Sequence, residues 1–353
     1  MKNRKAVACL LTAGLLLSFA ASGTAQTSRR DSANSYLERG NQWLKKGELE
    51  KAIEDFSFAL SFDPKMDLAY FNRGVARERK GDREGALHDY TRALQVNPRY
   101  VDAYLNRGAL LFERSDYDAA LRDFDQAIAI NPREAKAWSN QGLIRLRKGE
   151  TDAALSDFNE AVRLDPRNAE VWNYRSSLHY LRGAYDLALA DLNRAIRLDP
   201  RNANYYINRG SVLTNKGNLK GALADINQAL LLAPDQPTAL NNRGRVWLLK
   251  GEVNRALEDL NRALLLDAGL AAAWANRGTV WFTIGDDARA LADLDQAIKL
   301  NPQPADAWCT RGILLLMLNR LDEGERDCAR CRALGGALKP EAERLLREAR
   351  QKK

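Results

Sequence analysis

The sequence predicts an all-α fold, a solenoid built from stacked antiparallel helix pairs. Three observations predict it. The tripeptide NRG or a near copy recurs with glycine at 40, 74, 108, 142, 210, 244, 278 and 312, always in steps of 34 residues, with Ser176 in the remaining slot. Alanine returns at two further fixed places in eight of the nine periods. Proline closes most periods, usually as an NP or DP pair, where a helix cannot continue. A length of 353 residues would otherwise argue for two or three globular domains, and the short period overrides that prior.

The amino terminus comes first. Met1 to Lys5 carries Lys2, Arg4 and Lys5, and Ala6 to Ala21 is an uncharged, mostly apolar run. Gly23 and Ala25 then occupy the small-residue places of a cut after Ala25, the layout of a secretory signal peptide. The expectation is a signal over 1–25, a linker over 26–32, and export across the inner membrane of a bacterium to the periplasm or beyond. The alternative is an uncleaved anchor, since residues 6–28 are uncharged and long enough to span a bilayer. Cys9 lies inside the apolar run, badly placed for a lipid-modified mature terminus, and no N-x-S/T sequon occurs.

The periods can be numbered from Ala33, Asp67, Val101, Ala135, Ala169, Ala203, Pro237, Ala271 and Ala305, so that nine repeats fill 33–338. Columns 4, 8 and 11 share one face of a first helix; column 4 is aromatic in eight repeats, from Tyr36 to Trp308. Column 8 is the recurring glycine. A mid-helix glycine costs about 1 kcal/mol relative to alanine, so its repetition implies close helix packing. Column 15 is glycine in seven repeats (Gly47, Gly81, Gly149, Gly183, Gly217, Gly251 and Gly285), as a left-handed helix end requires. An acidic residue often follows, suited to the positive end of the next helix. Columns 17, 20, 21, 24, 27, 28 and 30 make the apolar stripe of that second helix. After the ninth repeat, Pro340 opens a short helix whose Ala342, Leu345, Leu346 and Ala349 can cover the last apolar face, giving a capping helix and basic tail over 339–353.

This pattern resembles the tetratricopeptide repeat, W-x2-L-G-x2-Y, then A-x3-F, then P. The match covers Ala33 to Leu338 in nine in-register copies. The resemblance implies a right-handed superhelix whose first helices line a concave groove. Two departures recur. The aromatic of column 11 survives only as Trp43, Trp247 and Trp281, and the family's leucine in column 7 is arginine in every repeat except the fourth, which has Gln141.

That arginine has a matching column. Column 23 is aspartate in all nine repeats, from Asp55 to Asp327. Both columns lie near the helix-packing faces, so an Arg–Asp ladder is expected, within a repeat or between neighbours; the alternative is a charged ligand-binding stripe.

Little in the sequence points to catalysis. His88 and His179 have no nucleophile or carboxylate at motif spacing, and no phosphate loop, dinucleotide glycine motif or H-E-x-x-H occurs. No cofactor and no metal is expected. Cys328 and Cys331 form a C-x-x-C on core columns of a helix, with Cys309 in the same repeat; packing is the expected role, and which of the three pair is left open. The formal charge of +8 sits mostly at the two ends, leaving +2 for the body, which speaks against a nucleic-acid partner.

The family resemblance implies that columns 2, 5, 6, 9, 12 and 13 face the groove. Column 6 is asparagine in six repeats: Asn72, Asn106, Asn140, Asn208, Asn242 and Asn276. An amide can donate to and accept from a peptide backbone together, so the row is the candidate peptide-binding site, similar to the asparagine ladder in the repeats of O-linked N-acetylglucosamine transferase. The rival is that these amides bond to neighbouring helices. A clamp for chaperone C-terminal carboxylates is not expected: Asn41 and Asn72 fit it, but Leu37, Asp102 and Asn106 do not. The reading is a non-enzymatic scaffold or adaptor for a polypeptide. The alternatives are an envelope enzyme subunit or redox protein using Cys309, Cys328 and Cys331, and a carbohydrate- or lipid-handling groove.

Overall fold

The computed structural model describes residues 29–338 and 340–351. The expected signal, 1–25, lies outside the described residues, as do the start of the linker and the side chains of Ala342 and Ala349. The described residues are helical hairpins joined by short turns, with no strand among them, and they divide along the chain into two compact units, the first ending at Pro166 and the second beginning at Arg167.

The first unit holds four hairpins. They are α1 (29–46) with α2 (Leu49–Phe62), α3 (Asp67–Lys80) with α4 (Arg83–Val96), α5 (Val101–Glu113) with α6 (Tyr117–Ile130), and α7 (Ala135–Arg147) with α8 (Thr151–Leu164). Because α1 begins by residue 29, the last four residues expected as linker are helical. The second unit holds α9 (Ala169–Leu181) with α10 (Tyr185–Leu198), α11 (Ala203–Asn215) with α12 (Leu219–Leu232), and α13 (Pro237–Leu249) with α14 (Val253–Leu266). It continues with α15 (Ala271–Thr283) and α16 (Asp287–Leu300), then α17 (Ala305–Met317), α18 (Leu321–Ala333) and α19 (Pro340–Gln351).

The turn inside a hairpin follows from local chemistry. At Gly81, φ is +91°, and the amides of Gly81 and Asp82 return to the carbonyls of Glu78 and Arg77, both at 2.9 Å, closing α3. Where column 15 lacks glycine, Ser115 and Asn319 adopt the same left-handed conformation. The acidic residue that follows divides by length. Asp82, Asp116 and Asp286 accept a hydrogen bond from the amide three residues on, whereas Glu48, Glu150 and Glu252 do not cap with their side chains.

The column-8 glycines have the expected packing reason. A Cβ built on Gly74 would stand 2.7 Å from the Tyr90 ring, and one on Gly244 would stand 2.7 Å from Leu260 Cγ. Column 24, which supplies Phe56, Tyr90, Phe124, Phe158, Leu192, Ile226, Leu260 and Leu294, is fully buried, and it lies directly on the glycine of its own hairpin wherever column 8 is glycine. Each unit thus has an apolar interior made as a series of clusters along its hairpins. At its end, α19 packs Leu346 against Leu316 and Cys328, and Arg332 pairs with Glu343 at 2.6 Å.

Candidate functional site

The first helix of each hairpin carries the candidate row, and the six asparagines are all half-buried. In the first unit, Asn72 Nδ2 donates to Asn41 Oδ1 at 2.7 Å, and Asn106 Nδ2 donates to the Tyr90 hydroxyl at 3.3 Å. That hydroxyl donates in turn to Glu78 at 2.5 Å, and burial pushes the Tyr90 phenol far above the usual tyrosine range. In the second unit, Asn208 Nδ2 donates to Asn173 Oδ1 at 2.8 Å, Asn242 Nδ2 to Ser211 Oγ at 2.9 Å, and Asn276 Nδ2 to Asn241 Oδ1 at 2.8 Å. Asn241 Nδ2 closes a relay to Asn242 Oδ1 at 3.2 Å. In all but the Asn106 bond, the acceptor comes from column 5, 6 or 9 of a first helix. One N–H of each of these amides therefore fixes its orientation, and an asparagine side chain has a second N–H and a carbonyl besides.

Two hollows open beside the row in the second unit. One, of about 260 Å³, is lined by Ser177, Tyr180, Leu181, Asn208 and Ser211; the other, of about 240 Å³, includes Asn242, Asn276, Thr279 and Asp306.

The Arg–Asp ladder is present, and it does more than the columns foretold. Arg73, Arg107, Arg209, Arg243, Arg277 and Arg311 each direct Nε and Nη2 at both carboxylate oxygens of the aspartate in their own hairpin, at 2.6–3.0 Å. Arg39 with Asp55 and Arg175 with Asp191 do the same. The aspartates are buried, as a paired carboxylate can be. Their hydrogen bonds push the Arg107, Arg209 and Arg243 guanidinium groups up from the ordinary value, against the effect of burial.

The third nitrogen, Nη1, reaches the preceding hairpin. It donates to Ser57 from Arg73, Thr91 from Arg107, Asn193 from Arg209, Asn227 from Arg243, Asn261 from Arg277, and Asp295 from Arg311, at 2.5–3.1 Å. These acceptors are all column 25, a position that the sequence reasoning passed over. Its signal was available: the column is polar from Ser57 through Asp295 and becomes Ala329 only in the last repeat, after which no arginine follows. Each of these six arginines therefore joins the two helices of its hairpin and latches that hairpin to the one before.

The fourth repeat breaks the pattern. Gln141 keeps the latch, donating to Asp125 at 2.6 Å, but cannot reach Asp157 with a fork. Asp157 takes one bond, from Arg145 Nη1 at 2.7 Å, and its Oδ2 has no partner among the described residues. Burial pushes its carboxyl up to about 7, opposed by Arg145.

The remaining reactive side chains are placed as follows. Cys309 and Cys331 form a disulfide between α17 and α18, leaving Cys328 as a buried free thiol that burial pushes up to about 11. A protonated, enclosed thiol is a poor nucleophile. His88 is on the surface beside Asp89. His179 is largely buried 3.7 Å from Asp191, and burial lowers its pKa, partly offset by Asp191. Among the described residues no acid cluster or His–Cys group could hold a metal, and no helix is long and apolar enough to cross a membrane.

Tetratricopeptide family models match residues 40–81 and 276–335. A model described as the C-terminal domain of cilia and flagella-associated protein 70 matches residues 65–270, more than half of the chain. The chain belongs to the tetratricopeptide repeat family. Among solved structures, the APC/C hetero-tetramer Cut9–Hcn1 is similar at 18% identity and a TM-score of 0.62, over 90% of this chain and 76% of that one. A tetratricopeptide repeat protein from Parabacteroides merdae is 23% identical at a TM-score of 0.55, over 71% and 99%. Pseudomonas aeruginosa pilF is 21% identical at 0.55, over 60% and 96%. At these identities the likeness is one of fold. No curated protein matches the chain.

Proposed function

We propose that this tetratricopeptide chain is a non-enzymatic scaffold that holds an extended polypeptide against the first helices of its hairpins, in an exported compartment. The observation that carries the reading is the asparagine row. Neighbouring hairpins orient five of the six amides, so an incoming backbone meets groups that need no ordering, which lowers the entropic cost of binding. Contacts through backbone atoms would make recognition tolerant of partner sequence. Export is supported by the basic and apolar start of the chain and by the Cys309–Cys331 disulfide, a bond that persists in oxidising compartments.

The test is crosslinked capture from the native envelope. Wild type is compared with Asn106→Ala/Asn140→Ala in the first unit and Asn208→Ala/Asn242→Ala in the second. A polypeptide captured by wild type and lost in at least one double variant is the expected result. Capture unaffected by both variants, or a bound sugar or lipid lost in their place, would overturn the reading.

A further inference from the structure

We propose that the pocket where α16, α17 and α18 meet is a second binding site, for a stretch of polypeptide in which one carboxylate side chain adjoins an apolar one. The pocket measures about 460 Å³, within the range of ligand sites. Its apolar wall is Leu291 of α16 with Trp308 and Leu315 of α17. Four arginines complete it, and they are not equivalent. Arg311 is committed to Asp327 and Asp295, and Arg320 forks onto Glu323 at 2.8 and 2.6 Å. Arg326 and Arg330 are exposed, and their side chains form no ion pair or hydrogen bond among the described residues.

Those two stand four residues apart on α18, on one face, where like charges repel. An anion between them would relieve that repulsion and take a forked bond from a guanidinium. The pocket's charge selects the anion. Four arginines against Asp295, Glu323 and Asp327 leave a single positive charge, which suits one carboxylate better than a phosphate dianion. The apolar wall suits the aliphatic neighbour of that carboxylate.

The site is specific to the last hairpin. Column 16 carries Glu48, Asp82, Asp116, Glu150, Glu252 and Asp286 in other repeats, and Arg320 reverses that sign. The disulfide holds the two walls together: Trp308 adjoins Cys309, and Arg330 adjoins Cys331. None of the pocket's residues belongs to the asparagine row, so the proposal stands or falls independently of the first-helix reading.

The experiment is selection of random displayed peptides on the folded full chain, with Arg326→Ala/Arg330→Ala and the charge-reversed Arg326→Glu/Arg330→Glu in parallel. Wild type should enrich peptides pairing aspartate or glutamate with an aliphatic or aromatic residue. Their affinity should fall about tenfold or more in the alanine variant, as loss of charge-assisted bonds implies, and remain in Asn208→Ala/Asn242→Ala. The reversed variant should select basic residues instead. Both arginines are exposed, so a helical dichroism spectrum matching wild type is expected of each variant. The proposal is overturned if no acidic–apolar preference emerges, if selected peptides bind the alanine variant as tightly, or if equimolar inorganic phosphate displaces them.

Discussion

Replacing Gln141 by arginine would give Asp157 the partner that its counterparts in the other eight hairpins have. Asp157 is 1% exposed, and one of its oxygens meets no donor among the described residues. Its carboxyl titrates near 7 in the folded chain against the ordinary 3.8, chiefly through burial. At about 1.36 kcal/mol per pH unit, that interval is worth about 4 kcal/mol. The unfolded chain releases this proton near pH 3.8 and the folded chain near 7, so folding takes up a proton between those values. The contribution of Asp157 to stability is therefore whole below the lower value, declines as pH rises, and is lost above the upper one. Urea unfolding measures the effect. Relative to Asp157→Asn, wild type should lose about 3 kcal/mol between about pH 5 and pH 8. Gln141→Arg should remove most of that loss, because its fork can reach Asp157 while Nη1 takes Asp125, as Arg311 takes Asp295. Identical pH dependence in wild type and Asp157→Asn would refute the reasoning.

Four further outcomes are expected. Asp225→Ala leaves Arg209 without the carboxylate that takes two of its donors at 2.7 Å, and should cost about 3 kcal/mol in the same assay; a loss of a few tenths would remove the ladder as a stabilising device. Gly244→Ala should destabilise by about 1–3 kcal/mol despite alanine's better helix propensity, since the new methyl meets Leu260 at 2.7 Å; a rise in melting temperature would contradict the packing argument. Cys309→Ser/Cys331→Ser opens a crosslink spanning 22 residues and should cost about 3 kcal/mol on the chain-entropy account. In native wild type a thiol reagent should modify Cys328 only as fast as the last hairpin opens; immediate reaction would show that the thiol is accessible.

The fold was legible because its determinants are periodic. A glycine under an aromatic or leucine side chain, an arginine opposite an aspartate and a left-handed turn each recur at fixed columns, so a pattern obscure in one repeat is plain across nine. The sequence left the asparagines open between a peptide and the neighbouring helices, and what escaped was which side chain of the adjacent hairpin each one takes. The bond from Asn208 to Asn173 joins columns 6 and 5 of adjacent repeats, and the Arg209 latch to Asn193 joins columns 7 and 25. No spacing inside a single repeat announces either. The disulfide escaped for another reason: Cys328 and Cys331 are close in sequence, but Cys331 faces Cys309 on α17, with the Cα atoms 5.0 Å apart. The pocket beside Trp308 was hidden because Arg326 and Arg330 read as an ordinary charged helix surface until the pairing of every nearby arginine was known.

The latch from each guanidinium to the hairpin before it bears on how the gene can change. If residues 203–236 were excised, Arg243 would come to rest behind Asn193 where Asn227 had been, and the same amide oxygen would receive it. A joint that looks the same at successive positions lets whole units be duplicated or deleted without redesigning their seams. Copy number could thus drift to match the span of a cargo while every junction kept its original chemistry.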